Sequence, residues 1–487
     1  MRAHRSILLV AALAGLTLAA GDAAFAQRVI SRGQNIGAGG PVRGGGDYRG
    51  GGGYRGGWGF VPGVFMAIPQ MGPPGGRYID DDIDAPQSAR QPARRGSSGA
   101  PAANERRLVP DEVVIEIPNS ATPQQIDALQ RRHRLTRLES LTFQLTGTTL
   151  YRWRIPDRRS VASVVRALES DRLVASAQPN YLFTLQQDGS KAAPEGDAAQ
   201  YELAKLHLPQ AHALARGDNV LVAVIDSGID ANHPELIGAV AQSYDTLSQP
   251  MTPHKHGTAI AGLIVAHGKL MGAAPGAHIL AIRAFAGAGA NAEGTTFNIL
   301  KGIDWAAANG ARVINMSFAG PSDPAIHRSL AAAHKKGIVL VAAAGNDGPK
   351  SPPLYPAADP NVIAVTATDA DDKLFPQSNR GHYIAVAAPG TQILVAIPDG
   401  GYEVASGTSY SAAEVSGIAA LMLDRKTSLS PDKLRDVLLA TAKDLGPKGR
   451  DIMFGAGLVD AYGALMAEET PVAATPRPVE RVSAGAR

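Results

Sequence analysis

One eleven-residue stretch of the chain carries a residue suited to nucleophilic catalysis. It runs from Gly407 to Gly417, places Ser409 after a turn of small residues, and leads into the apolar residues Ile418 to Leu423. This pattern predicts a helix that begins at the serine, with the hydroxyl beside unpaired backbone N–H groups and the positive end of the helix dipole. Such a position suits a nucleophile whose attack creates an oxyanion.

Two other stretches supply the groups that this serine would need. The apolar run Val222 to Ile225 predicts a buried strand that ends at Asp226, and His256 opens a predicted helix. A serine hydroxyl is almost un-ionised at neutral pH and needs a base, and histidine has an ordinary pKa of about 6.5. A carboxylate behind the imidazole would hold its tautomer and stabilise the imidazolium. We therefore predict that Asp226, His256 and Ser409 are catalytic.

A fourth stretch, Ala342 to Gly348, contains Asn346. Together the four stretches resemble the subtilases, the subtilisin-like serine proteases, in which the catalytic residues follow in the order Asp, His, Ser. The separations of 30 residues from Asp226 to His256 and 153 from His256 to Ser409 are similar to those of a compact subtilase domain. The resemblance covers residues 200–467. It implies that Asn346 is the side-chain donor of the oxyanion hole and that the chain hydrolyses protein or peptide substrates through an acyl-enzyme.

The resemblance extends to the substrate-binding strands. Ser317, Phe318 and Ala319 lie in a stretch that resembles one strand flanking the cleft, with which a peptide would pair as an added strand. Ala344 and Gly345 would line the opposite wall. The turn at Tyr355 and Pro356 resembles one in which the family often has a cis proline.

The proposed chemistry requires no cofactor. Family members often bind structural calcium, but no loop of this sequence can be assigned to it. His254 and His256 form a His-x-His pair, which could suggest a metal site, yet no third ligand of suitable spacing is evident. We therefore predict that His254 is a surface residue or a residue at the rim of the site.

The pattern from residue 221 onward predicts an α/β fold. Short apolar strands alternate with helical stretches, which is typical of a mostly parallel sheet covered on both faces. The resemblance implies a three-layer subtilisin-like domain over residues 200–467. In such sheets the active groups lie at the carboxyl ends of the strands.

The preceding residues, 108–187, predict a small α/β domain. Two alternating stretches, near residues 112–117 and 149–155, indicate strands, and residues 123–133 and 161–170 indicate helices. By position and pattern this unit resembles the inhibitor-I9-like propeptide of the family, which acts as an intramolecular inhibitor. A processing cut is then expected in the linker, residues 188–199, or at its edges between Leu185 and Gln200. The alternative is a small permanent domain that is never removed.

The N-terminus predicts export. Residues 1–26 combine Arg2 and Arg5, an apolar run of about 15 residues and an Ala-x-Ala site at Ala24 to Ala26, as in a signal peptide. The alternative, an uncleaved anchor, is disfavoured because a membrane span needs about 20 apolar residues. The predicted location is periplasmic, cell-envelope or secreted, with no stable membrane span after signal cleavage.

Composition sets the remaining expectations. Residues 27–107 are Gly- and Pro-rich and, like the tail 468–487, are predicted to be disordered. The net charge of +3 implies no nucleic-acid partner, and the absence of cysteine excludes disulfides and thiol chemistry. Two other functions stay open at this stage: a non-catalytic subtilase-fold binding or envelope scaffold protein, and an esterase or peptide ligase that uses the same acyl-enzyme.

Overall fold

The structure, a computed structural model, describes residues 98–186, 191–192, 200–247, 252–287 and 292–467. The predicted signal peptide, the predicted disordered segments apart from residues 98–107, and all but residues 191–192 of the predicted linker lie outside the described residues. Among the described residues, no helix is both long enough and apolar enough to cross a bilayer.

The first part of the described chain is a βαββαβ unit. Its elements are β1 (Leu108–Ile117), α1 (Pro123–His133), β2 (Thr136–Phe143), β3 (Thr148–Arg154), α2 (Val161–Glu169) and β4 (Ser176–Leu185). The strands are antiparallel in the order β2-β3-β1-β4, as in ferredoxin-like folds. Thr122 and Gln125 form a capping box at α1, and Ser160 caps α2. The predicted strands and helices of this region are confirmed, and β2 is an additional strand.

The second part contains the remaining elements. They are β5 (Lys191–Ala192), α3 (Tyr201–Lys205), α4 (Leu208–His212), β6 (Leu221–Asp226), β7 (Val240–Asp245), α5 (Lys255–Val265), β8 (His278–Arg283), β9 (Phe285–Ala286), β10 (Glu293–Thr295), α6 (Thr296–Ala308), β11 (Val313–Met316), β12 (Phe318–Ala319), α7 (Pro324–Lys335), β13 (Val339–Ala343), β14 (Ile363–Thr368), β15 (Ile384–Pro389), β16 (Ile393–Ile397), β17 (Gly401–Ala405), α8 (Thr408–Arg425), α9 (Pro431–Thr441) and α10 (Ala461–Ala467).

A seven-stranded parallel sheet organises this part, in the order β15-β14-β13-β11-β6-β8-β7. Helices α5 and α8 pack on one face, and α6 and α7 pack on the other. Successive residues of β6 show why its sequence is a continuous apolar run: Val222 and Val224 belong to one core, while Ala223 and Ile225 belong to the other. The predicted α/β fold with a three-layer, mostly parallel-sheet domain is confirmed.

Strand β4 extends from the first part into the second. It pairs antiparallel with β10 and, through Thr184 and Leu185, with β12. Gly320, directly after β12, exchanges two backbone hydrogen bonds with Tyr355, and the Tyr355–Pro356 peptide bond is cis, as predicted. The end of β4 therefore lies at the carboxyl ends of the central parallel strands.

Candidate active site

The three predicted catalytic residues are all fully buried. Asp226 is the last residue of β6, and its carboxylate oxygens lie 2.8 and 2.9 Å from Nδ1 of His256. The backbone N–H of Ser227 also donates to this carboxylate, at 2.7 Å. Because the carboxylate accepts from Nδ1, the other ring nitrogen of a neutral His256 is the basic one.

His256 has that nitrogen free. It is the second residue of α5 and so lies in the first turn of that helix. Within the described ranges, His256 Nε2 is buried without a hydrogen-bond partner. The ring of Tyr410, next to Ser409, lies 6.2 Å from the imidazole, centroid to centroid. An unpaired buried nitrogen beside the helix that carries Ser409 is what a general base requires.

Ser409 is the second residue of α8, as the sequence predicted. Its hydroxyl does not take the expected place on His256. It instead donates to the carbonyl oxygen of Gln186 at 2.5 Å and lies 3.1 Å from the carbonyl oxygen of Ser317. The reason is that the residue following β4 occupies the cleft and presents its own peptide carbonyl to the hydroxyl.

Asn346 lies between the side chain of Gln186 and the first residue of α8. Its Oδ1 accepts from the backbone N–H of Thr408 at 3.1 Å and from the Thr408 hydroxyl at 2.8 Å, which fixes the orientation of the amide. Among the described residues its Nδ2 is buried and has no partner. The backbone N–H of Asn346 donates to the side-chain oxygen of Gln186 at 2.8 Å. A fixed amide with an unused donor is suited to binding an oxyanion.

The predicted substrate strand pairs with β4. The backbone N–H of Gln186 donates to the carbonyl oxygen of Ser317 at 3.2 Å. Phe318 pairs with Leu185, and Ala319 pairs with Thr184. The strand thus holds an extended peptide in the register of an added β-strand.

Ala344 and Gly345 do not contact this segment through hydrogen bonds within the described residues. The Ala344 N–H donates to Val365, and the Gly345 N–H donates to the Thr408 hydroxyl. Gly345 has φ +111°, a conformation that favours glycine, and a Cβ there would lie 2.5 Å from Nδ2 of Asn379. These two residues therefore lead the chain from β13 to Asn346.

An aromatic pocket was not predicted from the sequence. Phe183, fully buried on β4, meets the ring of Phe318 edge-on at 6.0 Å, and Phe285 lies 4.9 Å from Phe318. A Cβ at Gly320 would lie 2.3 Å from the Phe183 ring. The pocket therefore accepts an aromatic side chain three residues before Gln186, and Gly320 keeps it open.

No group of three or more His, Cys, Asp or Glu side chains in the described part of the chain is arranged to hold a metal ion. Glu235, a buried carboxylate near α5, is instead occupied by hydrogen bonds. It accepts from the backbone N–H groups of Gly268, Lys269 and Leu270 and from the hydroxyl of Tyr402.

Comparison with known proteins gives consistent matches. The model of the subtilase family matches residues 217–457. The chain is 35% identical to thermitase of Thermoactinomyces vulgaris over 280 residues, covering 56% of this chain and 98% of thermitase. It is 34% identical to the minor extracellular protease Epr of Bacillus subtilis over 311 residues, covering 61% of this chain and 47% of Epr.

A solved structure is also similar. It is that of fervidolysin from Fervidobacterium pennivorans, described as a keratinolytic enzyme related to subtilisin. The TM-score is 0.64 at 26% sequence identity, and the match covers 75% of this chain and 62% of fervidolysin.

Proposed function

The chain belongs to the subtilase family of serine endopeptidases, and from that premise we propose that it is an exported, self-processing enzyme with an Asp226–His256–Ser409 triad. One observation carries the proposal: an extended segment of the chain lies in the cleft with the carbonyl oxygen of Gln186 2.5 Å from Ser409 Oγ.

The site residues have distinct roles in this proposal. His256 Nε2 takes the proton of Ser409 Oγ as that oxygen forms a bond to the carbonyl carbon, and Asp226 stabilises the resulting imidazolium. Asn346 Nδ2 and the backbone N–H of Ser409 bind the oxyanion. The imidazolium then protonates the leaving amine as the C–N bond breaks. Water, deprotonated by His256, releases the acid from the acyl-enzyme and restores the serine.

We propose the bond after Gln186 as the first bond that the enzyme cuts. Gln186 presents its carbonyl to Ser409 and its N–H to Ser317, and the preceding residues pair with β12. The bond lies at the edge of the interval expected from the sequence. Residues 200–467 would then form the catalytic domain, and residues 108–186 the removed propeptide.

Contacts on α6 and α7 support an inhibitory role for the N-terminal unit. Asn180 Oδ1 accepts from the backbone N–H of Phe297, and the N–H of Tyr181 donates to Thr296 Oγ1. Gln178 Nε2 donates to Asp323, the residue that caps α7. With both helix N-termini held and the cleft occupied, this unit excludes other peptides until it is released.

Export is part of the proposal and rests on the signal-like residues 1–26 and on the extracellular relative Epr. In the chain, the Gly-rich residues would lie between the signal peptide and the propeptide, and the tail 468–487 would follow the catalytic domain.

A serine-reactive fluorophosphonate probe tests the proposal. The full-length chain and its Ser409→Ala variant are expressed, treated with the probe, and examined by intact mass. We expect one probe on the trimmed wild-type enzyme and none on the variant. A trimmed, folded wild type that takes no probe would support a non-catalytic binding or scaffold protein instead.

A further inference from the structure

His254 directly precedes α5 and contacts neighbours of both Asp226 and His256. It is half-buried, and its Nδ1 lies 2.9 Å from Ser227 Oγ. The same nitrogen accepts the backbone N–H of His256 at 3.3 Å, so His254 caps the helix that carries the base. His254 therefore contacts the elements that carry Asp226 and His256 and does not lie only at the rim of the site.

Ser227 connects this imidazole to the carboxylate. Its hydroxyl lies 3.0 Å from Oδ1 of Asp226, and it accepts the backbone N–H of Gly257 at 3.1 Å. One serine side chain thus joins the end of β6 to the first turn of α5.

The number of protons in this network is limited. A serine hydroxyl has one proton, which it donates either to Asp226 or to His254 but not to both. His254 Nδ1 accepts the N–H of His256 only when that nitrogen is unprotonated. A proton on Nδ1 would instead be donated to Ser227 Oγ, and the cap on His256 would be lost.

The surroundings favour the neutral form of His254. Burial lowers its pKa; the charge of Asp226 acts in the opposite direction, and His256 and Lys255 lower it further. Lys255 is itself paired with Glu403, at 2.7 Å. Because the pKa of His254 in the folded protein lies below the ordinary value, its contribution to stability is present above about pH 6.5 and is lost as pH falls.

Building on the proposed function, we propose that His254 is a positioning residue for catalysis. Its acceptor nitrogen Nδ1 caps the first turn of α5, which carries His256, and the same nitrogen lies against Ser227, whose hydroxyl also reaches Asp226. Protonation of His254 Nδ1 removes the cap on His256.

The test compares His254→Ala with His254→Asn in enzyme produced from the full-length chain. Asparagine retains a short acceptor that suits a helix N-cap but does not titrate. Active enzyme is counted with the fluorophosphonate probe, and peptide hydrolysis is measured from pH 4.5 to 9. We expect His254→Ala to lower kcat about tenfold or more with little change in KM, because misplacement of the base slows the chemical step. His254→Asn should restore most of the rate.

The pH profile separates positioning from a general structural role. In wild type, protonation of either His256 or His254 impairs the site, so the acid limb of log kcat/KM should steepen from a slope of one toward two. In His254→Asn the slope should stay at one. The control is His278→Asn, an exposed histidine paired with Leu221 at the opposite end of the strands from Asp226, which should retain the wild-type profile.

A double-mutant cycle with Ser227→Ala tests the route. Because His254 and Ser227 contact each other and accept neighbouring N–H groups in the first turn of α5, the effects of Ser227→Ala and His254→Ala on kcat should be clearly less than additive. Additive effects, a wild-type slope of one, or wild-type kcat in His254→Ala would overturn the inference. If His254→Ala does not fold, as judged by thermal melting, the acid-limb slopes of wild type and His254→Asn decide. A slope toward two in wild type and one in His254→Asn supports the inference, and equal slopes overturn it. Failure of the wild type to take the probe would overturn the proposed function and this inference with it.

Discussion

Ser409 Oγ lies 2.5 Å from the carbonyl oxygen of Gln186, a residue 223 positions earlier in the chain. The contact joins the N-terminus of α8 to the residue that follows β4. It explains why the hydroxyl is turned away from His256 Nε2, which stays unpaired among the described residues. In the proposed mechanism Ser409 Oγ must therefore turn from the carbonyl oxygen of Gln186 toward His256 Nε2 before it can attack the carbonyl carbon.

Asn346 offers a test of oxyanion binding. Asn346→Ala should lower kcat about a hundredfold, since removal of one oxyanion-hole donor costs 10²–10³ in rate. Asn346→Asp should be similarly slow, because it keeps an acceptor for Thr408 but lacks the Nδ2 donor. Both should still react with the fluorophosphonate probe. An unchanged kcat in either variant would mean that another group supplies the donor.

The aromatic pocket predicts a substrate preference. Peptides with Phe at the fourth position before the cut should exceed those with Ala in kcat/KM by about tenfold to a hundredfold, because burial of a Phe side chain is worth about 1.5–3 kcal/mol. Gly320→Leu should abolish the preference, since any side chain there enters the space of the Phe183 ring. Matched peptide pairs measure both. Equal rates for Phe and Ala peptides with the wild type would contradict the assignment.

A buried carboxyl pair predicts that stability declines as pH rises. Burial and the proximity of Glu202 raise the pKa of Glu414, and burial raises that of Glu202 to about 7. Because the pKa of Glu202 is higher in the folded than in the unfolded state, its contribution to stability is fully present below the unfolded value of about 4.5. That contribution is lost as pH rises through about 7. For Glu202 this loss is on the order of 3 kcal/mol.

Glu202→Gln should therefore flatten the fall of Tm between pH 5 and pH 8 by roughly 5 °C. The comparison is made in the Ser409→Ala background, so that self-digestion does not interfere. Parallel Tm curves for the two proteins would show that the pair does not titrate in this range.

Glu235 predicts the opposite dependence. Burial would raise its pKa, but hydrogen bonds from Tyr402 and from the N–H groups of residues 268–270 outweigh burial and lower it. Its contribution is present above the unfolded pKa of about 4.5 and is lost as pH falls further. Tyr402→Phe should cost about 1 kcal/mol at pH 7 and less at pH 3.5, measured by denaturant unfolding of the Ser409→Ala chain. Tyr462→Phe, an exposed tyrosine, is the control, and an equal cost at both pH values would count against the assignment.

The sequence predicted much of this architecture because its signals are local. Buried central strands such as β6 and β13 read as apolar runs, and the helix starts at His256 and Ser409 follow their small or capping residues. Strands β2 and β7 were missed, since exposed residues interrupt their apolar pattern.

The missed parts of the site depend on tertiary contacts. The contact of His254 with Ser227 joins residues 27 positions apart on different elements, and the Phe183 pocket joins β4 to β12. Neither has a periodic signal. The displacement of the Ser409 hydroxyl toward Gln186 likewise depends on where β4 ends, which strand patterns locate only to within a few residues.

The most direct measurement is the intact mass and N-terminal sequence of the full-length chain expressed alone, beside its Ser409→Ala variant. We predict that the wild type is cut after Gln186, giving a first catalytic fragment that begins at Gln187. The variant should keep the bond after Gln186 intact while retaining the same fold by circular dichroism. A variant cut at that bond in a protease-free preparation, or a folded wild type that leaves it intact, would contradict self-processing by Ser409.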